Sequence, residues 1–173
     1  MSADILIVDD EADIRDLVAG ILQDEGYKTR TARNSDLAIA AVEERRPHLV
    51  FLDIWLQGSK LDGMQILDVI KQHHPDVPVV MISGHGNIET AVAAIKKGAY
   101  DFIEKPFKSD RLLLAIQRAM EASRLRREVE ELRHLIDQQR APVRPLEQAD
   151  DARLVGAQIA RLAAEQLDVD TIG

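Results

Sequence analysis

The strongest constraint on the fold is an alternation, repeated along residues 1–107, of short apolar runs with segments of helical periodicity. Three runs are apolar at every position, and two weaker runs mix apolar and polar residues. A strand that is apolar on every residue is covered on both faces, as in a parallel sheet. The clear runs are 5–8, 49–52 and 79–82, and the weaker ones are 28–32 and 101–104.

Apolar residues in the intervening segments recur at the spacing of one helix face. Gly26, Pro47, Pro75 and Gly98 mark helix ends, and Asn87 is placed as the N-cap of the fourth helix. Because parallel strands need crossover connections, five strand–helix pairs predict an α/β fold with helices on both faces of a parallel sheet. The four predicted core stripes are Ile14, Leu17, Val18, Ile21 and Leu22; Leu37, Ala38, Ala41 and Val42; Ile66, Leu67 and Ile70; and Ile88, Ala91, Val92 and Ile95.

One long helix is predicted over residues 110–139, which hold no Gly or Pro and are dense in charge. Its second half has a short heptad seam, flanked by Glu128 and Arg133 at positions that form opposite-sign pairs in a parallel homodimer. We therefore expect a homodimer, the alternative being a solvated helix packed on its own domain. The seam consists of Leu125, Val129, Leu132 and Ile136, with Ala122 before it.

These patterns divide the chain into three segments. We predict a domain over residues 1–120, a helical extension that forms a coiled-coil linker over 121–140, and a linker and tail of unknown role over 141–173. Within the tail, residues 150–167 have the apolar spacing of one further helix and hold no catalytic motif.

Charge and composition exclude several classes of protein. The 30 acidic residues outnumber the 22 basic ones, giving a net charge of −8 that opposes direct binding to nucleic acid. The absence of cysteine excludes a disulfide scaffold, a Cys-ligated zinc site and thiol catalysis. No apolar run approaches the roughly 20 residues that span a bilayer. We expect a cytoplasmic protein without membrane or direct nucleic-acid contacts.

Polar residues suited to catalysis follow four of the predicted strands. In a doubly wound parallel sheet, sites form beyond the carboxyl ends of the strands. If strands one, three, four and five are neighbours, these residues meet at one edge of the sheet. They are Asp9 and Asp10 after the first strand, Asp53 after the third, Ser83 after the fourth, and Lys105 and Pro106 after the fifth.

This set of residues predicts phosphoryl transfer. Carboxylates repel one another, at a cost of about 4 kcal/mol for two charges about 4 Å apart at an effective dielectric near 20, so the cluster requires a cation. All-oxygen ligands suit Mg²⁺, while Lys105 and Ser83 offer donors to phosphoryl oxygens. Asp53, alone on the central strand, is the favoured nucleophile and would form an acyl phosphate.

Five short motifs surround these residues: Val8-Asp9-Asp10, Leu52-Asp53, Asp62-Gly63, Ser83-Gly84-His85-Gly86 and Lys105-Pro106-Phe107. Together they resemble the receiver domains of two-component response regulators, and the resemblance covers residues 4 to about 120. Finer matches at 53–56 and 98–107 are similar to nitrogen-regulation response regulators of the NtrC/NtrX type.

The resemblance implies a flavodoxin-like, CheY-like fold, with five parallel strands in the order 2-1-3-4-5 and an extended C-terminal helix. It implies that Asp53 accepts a phosphoryl group from a sensor histidine kinase. Asp10, Asp53 and the backbone carbonyl of Trp55 would bind Mg²⁺ directly, and Asp9 would act on the ion through water.

The resemblance also implies a switch. Ser83 and Lys105 would contact the phosphoryl group, and Phe102 would change rotamer on activation. The peptide bond before Pro106 would be cis. The fourth helix, with Ala93 and Ala94 exposed, would form an output face with the fifth strand and fifth helix. This face would control dimerisation and a transcription-regulating output domain absent from this chain. Catalysis would be limited to self-phosphorylation and slow autodephosphorylation, so we do not expect an enzyme.

Trp55 and His85 flank the predicted site, and we expect them to govern how water reaches the acyl phosphate; alternatively, Trp55 only packs on its loop. A haloacid-dehalogenase-like phosphatase is the alternative function, although it needs a D-x-D spacing that Asp9-Asp10-Glu11 lacks. A flavodoxin-like nucleotide-binding protein would need a Gly-rich or Ser/Thr-rich loop after the first strand, where acidic residues stand instead.

Overall fold

The structure is a computed structural model that describes residues 2–140 and 156–164. The chain divides into two compact units, Met1–Val129 and Glu130–Gly173. Its strands are β1 (Asp4–Val8), β2 (Lys28–Ala32), β3 (Leu49–Asp53), β4 (Val79–Ser83) and β5 (Asp101–Glu104). Its helices include α1 (Ala12–Asp24), α2 (Ser35–Glu44), α3 (Gly63–His73), α4 (Ile88–Lys96) and α5 (Ser109–Gln139). The strands form one parallel sheet in the order β2-β1-β3-β4-β5, which confirms the predicted doubly wound fold.

Two apolar layers cover the sheet. Side chains alternate along each strand, so Leu6 and Val8 of β1 face one layer, and Ile5 and Ile7 face the other. Helices α2, α3 and α4 contribute to the first layer, and α1 and α5 contribute to the second. Strands β1, β3 and β4 are buried along their whole length, as all-apolar runs require. This double cover holds the carboxyl edge of the sheet in place.

Helix α4 turns a different face to the sheet from the one predicted. Ile88, Val92 and Ile95 are 84, 46 and 47% exposed, whereas Ala94 is fully buried and Ala93 is partly buried. The predictions that Ile88, Val92 and Ile95 lie in a buried stripe and that Ala94 is exposed were therefore wrong. Apolar residues occupy much of the circumference of this nine-residue helix, so periodicity alone does not select its buried face. The small side chain of Ala94 lets the helix approach the sheet closely.

Helix α5 confirms the long helix predicted over residues 110–139. Its first half packs on the sheet through Leu112, Ala115, Ile116 and Ala119, which are buried. The seam residues farther along the helix are about half exposed in the part of the chain that the structure describes. Leu125, Val129, Leu132 and Ile136 are 49, 48, 59 and 55% exposed.

A further helix spans residues 156–164, inside the helix predicted at 150–167. The remainder of that predicted helix lies outside the described residues, as do residues 141–155 of the predicted linker and tail. Within the described ranges, no helix has both the length and the apolar character needed to cross a bilayer.

Candidate functional site

The predicted site residues meet at the carboxyl edge of the sheet. Asp9 directly follows β1, and Asp53 is the last residue of β3. Ser83 ends β4, and Lys105 directly follows β5. Because these four strands are parallel and adjacent in the sheet, their ends bring together residues that are far apart along the chain.

The Lys105 ammonium is shared by three carboxylates. Its Nζ lies 2.9 Å from Asp9 Oδ2 and 3.3 Å from Asp53 Oδ2. A third contact, of 3.2 Å, joins it to Glu11 Oε1. Burial alone would lower the pKa of Lys105, but these carboxylates outweigh burial and raise the pKa above its usual value. Lys105 is therefore the fixed cation of the site at neutral pH.

Backbone N–H groups orient the two aspartates that follow β1. Asp9 Oδ1 accepts a hydrogen bond of 2.9 Å from the N–H of Glu11. Asp10 Oδ2 accepts one of 3.3 Å from the N–H of Gln57, in the loop after β3. The two carboxylates are thus held by different segments of backbone.

The Asp53 carboxylate is buried and incompletely neutralised. Its Oδ1 accepts a hydrogen bond of 3.4 Å from the N–H of Trp55, and its Oδ2 faces Lys105. Burial and the neighbouring charge of Asp9 raise the pKa of Asp53 to about 7, against the opposing effect of Lys105. A carboxylate in this state gains from any further cation placed beside it.

The acidic side chains fit a divalent cation. Asp9, Asp10, Glu11 and Asp53 each place one carboxylate oxygen within 4.8 Å of the others. Asp9 Oδ2 is buried in an ion pair of 2.9 Å with Lys105 Nζ, and this one lysine leaves the four carboxylates with an excess of negative charge. Hard oxygen donors in negative excess over one lysine suit Mg²⁺, which takes few protein ligands and keeps several waters. The predicted cluster is therefore assembled, with Glu11 as an additional member.

An open cavity of about 420 Å³ lies over these groups. Trp55 and His85 both line it, and Trp55 is 54% exposed. Ser83 is fully buried beneath the cavity. Its Oγ accepts a hydrogen bond of 3.2 Å from the N–H of His85. This hydrogen bond links Ser83 to the loop that follows β4.

Phe102 lies against the loop that follows β4. A Cβ at Gly86 would come within 2.6 Å of Phe102 Cζ and 2.9 Å of Cε1, so the ring can occupy this position only because residue 86 is glycine. The partly buried ring packs on the core layer to which α2, α3 and α4 contribute. The Lys105–Pro106 peptide bond is cis, as predicted.

Gly63 begins α3 directly against the backbone that carries Asp53. Its N–H donates a hydrogen bond of 2.8 Å to the carbonyl of Ile54. A Cβ at this position would collide with the Asp53 carbonyl oxygen and come within 2.6 Å of Ile54 Cα. Asp62 caps the same helix by accepting a 2.9 Å hydrogen bond from the N–H of Gln65. The Asp62-Gly63 motif therefore fixes the close approach of α3 to β3.

Two contributors to the site were missed by the sequence-based predictions. Glu11 extends the acidic run of Asp9 and Asp10, and this run was the signal that could have identified it. Gln57 contributes a backbone N–H group, which every residue except proline carries. Its role therefore left no signal in the sequence.

Comparison with known proteins places this geometry in a family. The profile of the response regulator receiver domain matches residues 5–117. The nitrogen assimilation regulatory protein NtrX of Azorhizobium caulinodans is 70% identical over 135 residues, which cover 78% of this chain and 30% of that protein. The crystal structure of the receiver domain of NtrX from Brucella abortus has a TM-score of 0.67 at 72% identity, covering 68% of this chain and 98% of that chain. The solution structure of the beryllofluoride-activated NtrC4 receiver domain dimer has a TM-score of 0.66 at 42% identity, covering 69% of this chain and 98% of that chain.

The family profile covers more than half of the chain, and the fold and the acidic site agree with it. The chain spans 30% of the length of the Azorhizobium relative. The chain belongs to the response regulator receiver domains, and its similarity is to regulators of the nitrogen-regulation NtrX type.

Proposed function

We propose that the chain is a phosphoacceptor that takes a phosphoryl group onto Asp53 from the phosphohistidine of a sensor histidine kinase. The observation that carries this proposal is the position of the Asp53 carboxylate. It lines an open cavity, 3.3 Å from the Lys105 ammonium and within an acidic group that fits Mg²⁺. Phosphoryl transfer depends on such positioning and on cations that neutralise the transferred oxygens.

The transfer forms one bond and breaks another. An oxygen of Asp53 bonds to phosphorus while the phosphorus–nitrogen bond of the phosphohistidine breaks, and the imidazole nitrogen keeps the electron pair. Lys105 exchanges its contact with the carboxylate for one with the new phosphoryl oxygens. The Ser83 hydroxyl turns to donate a hydrogen bond to the same group. The chain is thereby modified itself and does not turn over a separate substrate, apart from the slow hydrolysis of its own phosphate.

The acidic residues bind the metal ion, and the residues of the cavity wall control the access of water. We assign Asp10, Asp53 and the Trp55 carbonyl to direct Mg²⁺ binding, and Asp9 to contact through water. The ion supplies neutralisation of charge on the transferred oxygens when it is bound. Trp55 and His85 line the cavity, where they limit the approach of water and so set the lifetime of the acyl phosphate.

The proposed switch runs from Ser83 to Phe102. The Oγ of Ser83 accepts a hydrogen bond from the N–H of His85 in this structure. Rotation of the Ser83 side chain toward a phosphoryl group would break this bond and free the loop after β4 to move. The Phe102 ring lies over Gly86 in that loop and changes rotamer when the loop moves. Two arrangements of a packed loop and ring are the kind of bistable element that a local charge can bias.

The exposed face of α4 is the surface that this switch would alter. Ile88, Val92 and Ile95 are exposed there, close in sequence to Tyr100, which is 39% exposed. Exposed apolar groups that lie together favour a protein partner. The related NtrC4 receiver domain is a dimer when activated by beryllofluoride. We infer a homodimer formed by the α4–β5–α5 face of the receiver over residues 1–120 and by the seam within 121–140.

The sensor kinase needs its own surface beside Asp53. A groove of about 270 Å³ adjoins the site and is lined mainly by apolar groups of α1 and the segment after β5. Leu17 of α1 is 53% exposed at this groove, and Pro106 and Phe107 form its other side. We propose that the part of the kinase that carries the phosphohistidine docks here. Control of nitrogen-regulated transcription is inferred from the NtrX relatives, in which this segment is one part of a longer chain.

The decisive experiment is phosphorylation by a small donor. We expect acetyl phosphate or phosphoramidate with Mg²⁺ to add one phosphoryl group to the wild-type chain, detected by intact mass spectrometry. Asp53→Asn should remove the addition, and Asp10→Asn should slow it strongly by weakening Mg²⁺ binding. A folded wild-type sample that gains no phosphoryl group, or gains it on another residue, contradicts the proposal.

A further inference from the structure

Arg15 is folded back onto the turn that carries the first two acidic residues of the site. Its Nη1 donates a hydrogen bond of 2.7 Å to the carbonyl of Asp9 and one of 3.1 Å to the carbonyl of Asp10. The side chain is partly buried, and it belongs to the first turns of α1. One guanidinium nitrogen therefore joins the start of a helix to two consecutive carbonyls at the end of β1.

The location of this cation is unfavourable without such contacts. The amino end of a helix carries partial positive charge, so a basic side chain there is normally destabilising. Asp9 and Asp10 have left the strand, and the turn that they form precedes the helix. Hydrogen bonds from a charged donor are stronger than those from a neutral one. The guanidinium thus supplies charged donors to carbonyls that follow the last residue of β1.

The two carbonyls and the two carboxylates belong to the same residues. The backbone orientation that points the carbonyls at Arg15 also sets the direction of each Cα–Cβ bond. Asp9 consequently points its carboxylate at Lys105, while Asp10 points its carboxylate at the N–H of Gln57. Outer contacts that fix the orientation of ligand residues commonly control metal affinity.

We propose that Arg15 is a positioning residue of the cation site, which holds the Asp9–Asp10 turn so that both carboxylates belong to the acidic cluster. This inference rests on the proposed function, because it assumes that Mg²⁺ is the cation bound there. Arg15 itself does not touch the reacting atoms. It acts through backbone that it shares with two residues of the acidic cluster.

Positioning and plain electrostatics predict opposite results when the charge of Arg15 is removed. A cation near the acidic cluster repels Mg²⁺, so its loss alone would make Mg²⁺ bind more tightly. Loss of a positioning contact would make Mg²⁺ bind more weakly. The direction of the change in affinity therefore separates the two roles.

The experiment titrates Mg²⁺ into the full chain and follows the fluorescence of Trp55, the one tryptophan in the sequence. We expect Arg15→Met and Arg15→Gln to weaken Mg²⁺ binding about tenfold or more, and Arg15→Lys to recover part of the loss. Lys28→Met is the matched control, since it removes one exposed cation at the opposite edge of the sheet. It should leave the affinity within about twofold of the wild type. Circular dichroism identifies the variants that are folded, and the conclusion is drawn from those.

A second measurement needs no metal. The amide of Glu11 donates to Asp9 Oδ1, so its nitrogen NMR shift reports the orientation of the turn. We expect Arg15→Met to displace this signal and Lys28→Met to leave it in place. Unchanged or tighter Mg²⁺ binding by Arg15→Met, or an unmoved Glu11 signal, overturns the inference. A wild type that binds no Mg²⁺ instead contradicts the proposed function, and the Glu11 signal then still decides whether Arg15 positions the turn.

Discussion

Lys105 Nζ lies 3.3 Å from Asp53 Oδ2, although 52 residues separate the two along the chain. The residues stand at the ends of β5 and β3, with β4 between those strands. The same ammonium is 2.9 Å from Asp9, so one lysine faces two buried carboxylates. The stability of the metal-free protein therefore depends on pH and on each charged group of the site.

Replacing Asp53 should stabilise the metal-free protein at high pH. Burial and Asp9 raise the pKa of Asp53 from 3.8 to about 7, so the folded protein binds a proton that the unfolded chain has already released. The free energy of unfolding consequently falls as pH rises through this range, and the loss is complete above about pH 7. We expect Asp53→Asn to raise the free energy of unfolding by about 2 kcal/mol near pH 8, and by less than half as much near pH 4.5.

Urea unfolding without metal measures both values. Mg²⁺ provides the internal control, because it should stabilise the wild type near pH 8 more than it stabilises Asp53→Asn. If the free energy of unfolding changed with pH in the same way in both proteins, this would show that the folded structure does not raise the pKa of Asp53.

Removing the cation of the site should have two opposite effects. Lys105→Met leaves buried Asp9 and Asp53 without their shared partner, so we expect the free energy of unfolding near pH 8 to fall by about 3 kcal/mol in the absence of metal. Mg²⁺ should bind more tightly, because a competing cation is gone. Lys60→Met breaks an exposed pair with Asp36 and should cost less than about 0.5 kcal/mol. Weaker Mg²⁺ binding by Lys105→Met would contradict this account.

Gly63→Ala should destabilise the protein by about 3 kcal/mol or more, since the added methyl group meets backbone and not a flexible side chain. The displaced backbone includes Asp53, so we also expect slower phosphorylation. Gly20→Ala is the matched control, because Gly20 lies within α1 with open space around its Cβ position. This control should stabilise the protein by up to about 1 kcal/mol. Thermal unfolding and the phosphorylation rate test both variants.

Gly86→Ala should displace the Phe102 ring at a stability cost below about 1 kcal/mol, because the colliding atoms are at the far end of a side chain that can rotate. We expect the aromatic NMR signals of Phe102 to move toward those of beryllofluoride-treated wild type. Gly84→Ala is the comparison, since a Cβ there makes an ordinary contact of 3.7 Å with Lys105 Cδ. Ring signals that stay at their wild-type positions in Gly86→Ala would remove Gly86 from the switch.

A charge placed in the α5 seam should weaken the dimer. Val129 is 48% exposed on α5, and burying a carboxylate at this position against a second copy is unfavourable. We expect Val129→Asp to lower the dimer fraction of beryllofluoride-treated protein in sedimentation. Glu131→Gln changes an exposed charge outside the seam and should leave the fraction unaltered. Equal dimer fractions for Val129→Asp and the wild type would exclude the seam from the interface.

The agreement between sequence and structure differs from element to element. The five strands were placed to within one residue, because an all-apolar run such as 79–82 has few alternatives to a buried strand. Helix α4 was found, with its Asn87 cap, but the wrong face was assigned to the core. Apolar residues at Ile88, Val92 and Ile95 are equally consistent with a core or with a partner surface. Only the packing of Ala94 against the sheet distinguishes the two.

The amino-acid sequence by itself determined the order of strands and helices, the long α5 and the residue types at the strand ends, because local periodicity and turn residues encode them. The tertiary structure decided which charged groups are in contact. Glu11 forms an ion pair with Lys105, and Arg15 donates hydrogen bonds to the carbonyls of Asp9 and Asp10. Burial and the charge of Asp9 raise the pKa of Asp53. These outcomes depend on the distances and the burial that the folded chain creates, since electrostatic energies are set by separation and by the surrounding dielectric.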